Sequence, residues 1–231
     1  MMKRYLRIRF AGIIFSAMAV TFFAEFSLAH AQAIVFGFDG KIGGDGIAAP
    51  WELKEKSGDA NVKIASDAGE KIVQLKCDDA SFSLGREIKV NPKTYPYIVW
   101  QWKALKLPPK GDLRKGKTND QALQLLVAFE GEKVLSYVWD SNAPEGSMSD
   151  ESVAWPVSLK IKVIAVKSGA ADAGKWFTMT RNVYEDYKKF FKEEPPPVKG
   201  IRVQTNCQHT ESAGAGHFGK IVFSKNPSAV K

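Results

Sequence analysis

Acidic, imidazole and guanidinium groups set what chemistry a chain can perform, and in this sequence they are few and scattered. Asp120, Glu130 and Asp140 fall on adjoining strands or at strand ends, and two carboxyls about 5–10 Å apart are what glycosidic bond cleavage needs. Local turn chemistry accounts for the same residues: Asp120 follows Asn119, Glu130 belongs to a Glu130-Gly131-Glu132 turn and Asp140 ends its strand. Of three histidines, His30 lies at the edge of an N-terminal leader, while His209 and His217 sit in a Gly-rich segment poor in acids. There is no HExxH, no CxxC pair and no EF-hand spacing, which leaves metal chemistry without a ligand set. No serine stands in a GxSxG elbow, which argues against a serine hydrolase.

Three groups remain for binding. Arg181 stands close to Asp186 and Tyr187 where a strand enters a helix. It can pin the helix through an ion pair, or read a carboxylate or sugar hydroxyls bidentately. The run Thr205-Asn206-Cys207-Gln208-His209-Thr210 is a polar strand end, where binding groups often sit, and Asn206 and His209 are its candidates. Cys77 and Cys207 are an even pair, compatible with one disulfide closing a loop of about 130 residues and contributing on the order of 3–5 kcal/mol, or with two separate buried thiols.

The chain opens with Lys3, Arg4, Arg7 and Arg9, an apolar run from Ala11 to Ala24 and the small-x-small sites Ala29-His30-Ala31 and Ala31-Gln32-Ala33. That is the pattern of a secretory signal peptide over residues 1–31, cleaved after residue 31 or 33. The apolar run is shorter than the roughly 18 residues of a membrane span, so no stable membrane insertion is expected after cleavage. The expected location is periplasmic or secreted, a setting that permits disulfides. Losing four basic residues and Glu25 lowers the net charge from +8 to +5. The remaining lysines are dispersed and only Lys110 to Lys117 is dense, so no nucleic-acid partner is expected.

The elements that must position these groups are short alternating segments separated by Gly, Pro, Asn and Asp, from Ile34–Phe38 to Phe218–Phe223. The spacing leaves no room for a crossover helix between most of them. This predicts an all-β fold, a two-sheet, mainly antiparallel β-sandwich or jelly roll, built as one domain over 34–225 with a tail at 226–231. One short helix is expected at about 183–192, capped by Asn182 with Glu185 at its third position and stopped by Pro195-Pro196-Pro197.

Alternation along Tyr97–Leu105 puts Ile98, Trp100, Trp102 and Ala104 on one face and Val99, Gln101 and Lys103 on the other. The same pattern separates Leu123, Leu125, Val127 and Phe129 from Gln124, Leu126 and Ala128, and Ile201, Val203 and Thr205 from Arg202, Gln204 and Asn206. The paired tryptophans are therefore assigned to the core. Trp139, at a strand end beside the loop Ser141–Asp150, is the tryptophan placed to reach a cleft. The reverse face, with Gln101, Lys103 and Gln124, is the place expected to bind.

Read together, Tyr95-Pro96, Trp100-x-Trp102, Asn119-Asp120, Tyr137-x-Trp139, Trp176, Arg181 with Asp186-Tyr187, Gly200-Ile201, Thr205 to Thr210 and Phe218-Gly-Lys-Ile221-x-Phe223 resemble an uncharacterised family of exported bacterial proteins, a domain of unknown function. The resemblance covers almost all of the chain after the leader. Asn119 and Asn206 stand where that pattern usually has acids, which weakens any metal or proton-transfer role there. It implies a sandwich similar to galactose-binding-type jelly-roll modules, which commonly bind carbohydrate and often hold a structural calcium, for which Asp39 is the candidate carboxylate. No other cofactor is expected. The resulting expectation is a non-catalytic exported protein that binds glycan or another envelope component. The alternatives are a polysaccharide hydrolase or lyase using the paired carboxylates, and a structural envelope protein that meets a partner through a sheet edge.

Overall fold

Alternation of large apolar and polar side chains gives each strand one face to bury, and two sheets bury these faces against each other. The computed structural model describes residues 32–153 and 158–228; the leader and the tail end at 229–231 lie outside it. The strands are β1 (Ala33–Phe36), β2 (Glu52–Ser57), β3 (Asn61–Asp67), β4 (Glu70–Asp78), β5 (Ser81–Val90), β6 (Tyr97–Lys106), β7 (Gln121–Phe129), β8 (Lys133–Asp140), β9 (Met148–Val153), β10 (Leu159–Ser168), β11 (Phe177–Asn182), β12 (Val198–Asn206) and β13 (Ala213–Ser224), with helix α1 at Val183–Phe191. The six-stranded sheet runs β11-β6-β13-β4-β3, with β1 also on β13; the seven-stranded sheet runs β2-β5-β12-β7-β8-β10-β9. The fold is thus the expected two-sheet β-sandwich with one short helix.

Trp100 and Trp102 are 0% exposed and form the aromatic centre. Trp100 stacks on Tyr137 of the opposite sheet at 5.4 Å, and Trp102 meets Trp139 at 5.9 Å and Phe218 at 6.0 Å. Neither indole N–H has a partner among the described residues. An orphan donor costs about 1–3 kcal/mol, whereas burying a ring of 150–250 Å² yields about 4–6 kcal/mol. Burial wins, and the tryptophans remain inside.

Asn182 caps α1 by accepting the Glu185 amide at 3.0 Å, and Lys192 ends it in the left-handed region. Asp186 then ties the helix to both sheets. It accepts from Arg181 Nε at 2.8 Å and Nη2 at 2.5 Å on β11, and from the Tyr137 hydroxyl at 2.8 Å on β8.

Two features differ from the sequence reading, and one open alternative is resolved. β9 lies partly within what reads as the loop Ser141–Asp150, and β10 inserts between it and β8, so that β8 and β10 pair in parallel while all other pairs are antiparallel. The Gly-rich segment Ala213 to His217, which precedes the expected strand Phe218–Phe223, is the first half of β13. Its glycines serve close approach: a Cβ on Gly214 would lie 3.0 Å from the sulfurs of both Cys77 and Cys207, and one on Gly216 would lie 2.5 Å from Leu123. The two cysteines are bridged, with Cα atoms 6.0 Å apart, linking β4 of one sheet to the end of β12 in the other.

Candidate functional site

The outward face of the seven-stranded sheet carries a continuous set of non-core side chains, and strand register fixes its rows. Arg202 on β12 stands opposite Gly85 on β5 and Leu126 on β7; one row along, Gln204 stands opposite Ser83 and Gln124. In the other direction Gly200 faces Glu87 and Ala128, and Ala128 faces Val134. Around Arg202 this face opens into a groove of about 570 Å³, floored by Gly85, Gly200, Leu126, Ala128 and Val134. Five basic and three acidic side chains line it.

Arg202 is half-buried in this groove, and its Nε passes 3.8 Å from the position a Cβ would occupy on Gly85. It makes no hydrogen bond or ion pair among the described residues. Burial draws its guanidinium below its ordinary pKa, with no anion opposite to offset the cost. The cation remains charged and faces the opening.

Toward the other end of the sheet the face closes over a polar network. Asp120, 0% exposed, accepts from Thr210 N at 2.7 Å, Thr210 Oγ1 at 2.6 Å, His209 N at 3.2 Å, His209 Nδ1 at 3.1 Å and Asn206 Nδ2 at 3.2 Å. This carboxylate therefore shapes the turn after β12. Asn206 donates further to Asn119 O at 2.8 Å and accepts from Gln121 N at 3.2 Å and from Gln124 Nε2. Asp140 accepts from Leu113 N at 2.9 Å, Asn142 N at 2.9 Å and Ala143 N at 2.6 Å, joining two loops. Leu113 and Ala143 from those loops pack on Val138, Val163 and Ala165 of the outward face.

The structure brings together some of the residues singled out in the sequence and separates others. Gln124, Asn206, His209, Asp120 and Asp140 share the network, and His209 keeps an accessible ring, with 39% of its side chain exposed. Glu130 is exposed on the groove rim. Gln101 and Lys103 belong to the six-stranded sheet, on the opposite outer face of the sandwich from Gln124. Lys103 is engaged there: its Nζ donates to Asp67 at 2.8 Å, which also accepts from Trp176 Nε1 at 2.9 Å and is held below the usual carboxylate range, first by the Lys103 bond. Trp139 reaches no cleft. It is wholly buried, with its indole donating to Gly169 O at 3.0 Å. Arg181 serves the ion pair with Asp186 described above, and Asp39 is exposed after β1. Among the described residues no three His, Cys, Asp or Glu side chains group as a metal site, so these side chains do not by themselves fit a calcium centre at Asp39. Arg202, Gly85 and Gly200 were not marked as site residues by the sequence. The one signal for Arg202 was its place opposite Ile201 and Val203 on the polar side of the strand.

A family model described as "Protein of unknown function (DUF3047)" matches residues 49–222. The chain belongs to the DUF3047 family. The match spans both sheets, the groove, the Asp120 network and the disulfide. No curated protein matches this DUF3047 chain. Among solved structures it is similar to the xyloglucanase domain of a type three effector from Sinorhizobium fredii, at 10% identity and TM-score 0.48, covering 85% of this chain and 100% of that one. It is also similar to a family 11 carbohydrate-binding module of a cellulosomal cellulase of Clostridium thermocellum, at 10% identity and TM-score 0.44, covering 85% and 96%. An endoglucanase from Rhodothermus marinus is similar at 6% identity and TM-score 0.42, covering 84% and 100%. At these scores no function passes from those proteins to the DUF3047 chain. No helix among the described residues is long and apolar enough to cross a membrane.

Proposed function

We propose that this DUF3047 protein is an exported, non-catalytic glycan-binding protein whose site is the groove on the outward face of the seven-stranded sheet. The observation that carries this reading is the composition of the groove. A floor of Gly85, Gly200, Ala128 and Leu126 offers an apolar surface without obstruction, and hydrogen-bonding and charged groups stand beside it. A pyranose ring presents the complementary pattern, with C–H groups on its faces and hydroxyls at its edges. The volume of about 570 Å³ lies within the ~300–1,000 Å³ of small-molecule sites. A paired-carboxylate reaction gains no support from the geometry, because Asp120 and Asp140 already spend their oxygens on amides and side chains that shape loops, and Glu130 stands apart in its turn.

A glycan array followed by calorimetry against soluble cell-wall fractions tests the proposal. Wild-type protein is expected to bind, and Ala128→Trp, which fills the groove floor, is expected to abolish binding without lowering the melting temperature. Equal binding by that variant would place the site elsewhere.

A further inference from the structure

Among the described residues, the cations drawn out of water mostly have an acidic partner, and half-buried Arg86 lies over the Phe36 ring. Arg181 is paired with Asp186, Lys103 with Asp67 and Lys167 with Asp172. Arg202 has none among the described residues, though it is half-buried between Gly85 and Leu126. Its nearest acids in register are Glu87, diagonal to it on β5 and opposite Gly200, and Glu52, which stands opposite Gly85 one strand further out; neither makes an ion pair with it. The missing side chain at Gly85 leaves room directly beside the guanidinium. Such a flat five-donor fork, half-buried and unpaired among the described residues, is matched by a planar anion accepting two parallel bonds.

Resting on the reading of the groove as a glycan site, we propose that its ligand is an acidic glycan and that Arg202 binds the carboxylate of a uronic acid unit lying over Gly85. Lys54, Lys89 and Lys199 on the groove wall add to the positive field that draws a polyanion in, while Leu126 and Ala128 take the apolar face of the ring. A carboxylate is favoured over a sulfate or phosphate ester because two coplanar acceptors fit the fork with both bonds in line.

The test is calorimetric titration of the protein with hexagalacturonate, its methyl ester and cellohexaose, at low and high salt. Hexagalacturonate is expected to bind at least about tenfold more tightly than its methyl ester, the equivalent of one charge-assisted pair, with the difference shrinking as salt rises. Arg202→Gln is expected to remove that difference, and Arg202→Lys to restore only part of it. Gly85→Asp supplies an internal counter-ion, and is expected to abolish acid selectivity while leaving the melting temperature at or above that of wild type. Equal binding of acid, ester and neutral hexamer, unchanged by Arg202→Gln, would overturn the carboxylate assignment and leave the glycan groove standing. Binding of none of the three, together with a blank glycan array, would overturn both.

Discussion

Removing the bridge between Cys77 and Cys207 is the perturbation whose size follows most directly from the structure. The sequence separation is 130 residues, and loop-closure entropy for a ring of that length corresponds to about 5 kcal/mol at 25 °C. The bridge joins β4 of one sheet to the end of β12 in the other, so its loss frees the two sheets in the unfolded chain without emptying the core. Thr205 Oγ1 donates to Cys77 Sγ at 3.1 Å, and a Cys77→Ala/Cys207→Ala double variant loses that contact as well. For a domain of this size about 5 kcal/mol corresponds to a fall in melting temperature of roughly 10–20 °C. Circular dichroism melts of wild type, reduced wild type and the double variant measure it. Two titratable thiols in native, unreduced protein, or a double variant melting within about 3 °C of wild type, would refute the reasoning.

Three further outcomes are expected. Asp120→Asn turns an acceptor into a donor facing Thr210 and His209, and urea unfolding is expected to show a loss of at least about 2 kcal/mol, with faster amide exchange confined to the turn after β12. Arg181→Ala leaves Asp186 with only Tyr137, which predicts a loss of about 1–3 kcal/mol and fraying of α1 seen by circular dichroism. Asp112 is held at about 2 by the Arg114 side chain, below its unfolded value of about 3.9. Its contribution is therefore complete above about pH 4 and is lost as the pH falls through about 2. Stability measured from pH 5 to pH 2 should fall less steeply for Asp112→Asn, the two proteins converging at the acid end.

The architecture was legible because it rests on local rules. Trp100 and Trp102 declared their face through alternation, and Asn182 with Glu185 declared the start of α1. β9 was hidden because it is an edge strand bearing Asp150 and Glu151, charges that protect an open edge and erase the apolar period. Gly214 and Gly216 imitated a turn because glycine serves close packing and turns alike, and only the sulfurs of the disulfide and Leu123 reveal which applies. The site was legible in part. Alternation told that Gln101 and Gln124 both face away from the core, but not that their sheets turn those faces to opposite sides of the sandwich. Arg202 was visible as a polar position. Its lack of an acidic partner is a fact of three dimensions, since acids as near in register as Glu87 and Glu52 could have closed on it.

The central claim is that the outward face of the seven-stranded sheet is the binding surface. Amide chemical-shift mapping during titration with hexagalacturonate and with a soluble cell-wall oligosaccharide mixture tests it most directly. The prediction is saturable shifts at Gly85, Leu126, Ala128, Gly200 and Arg202, with the amides around Lys103 and Trp176 on the opposite face unmoved. Shifts confined to that opposite face, or none at any concentration of either ligand, would contradict it.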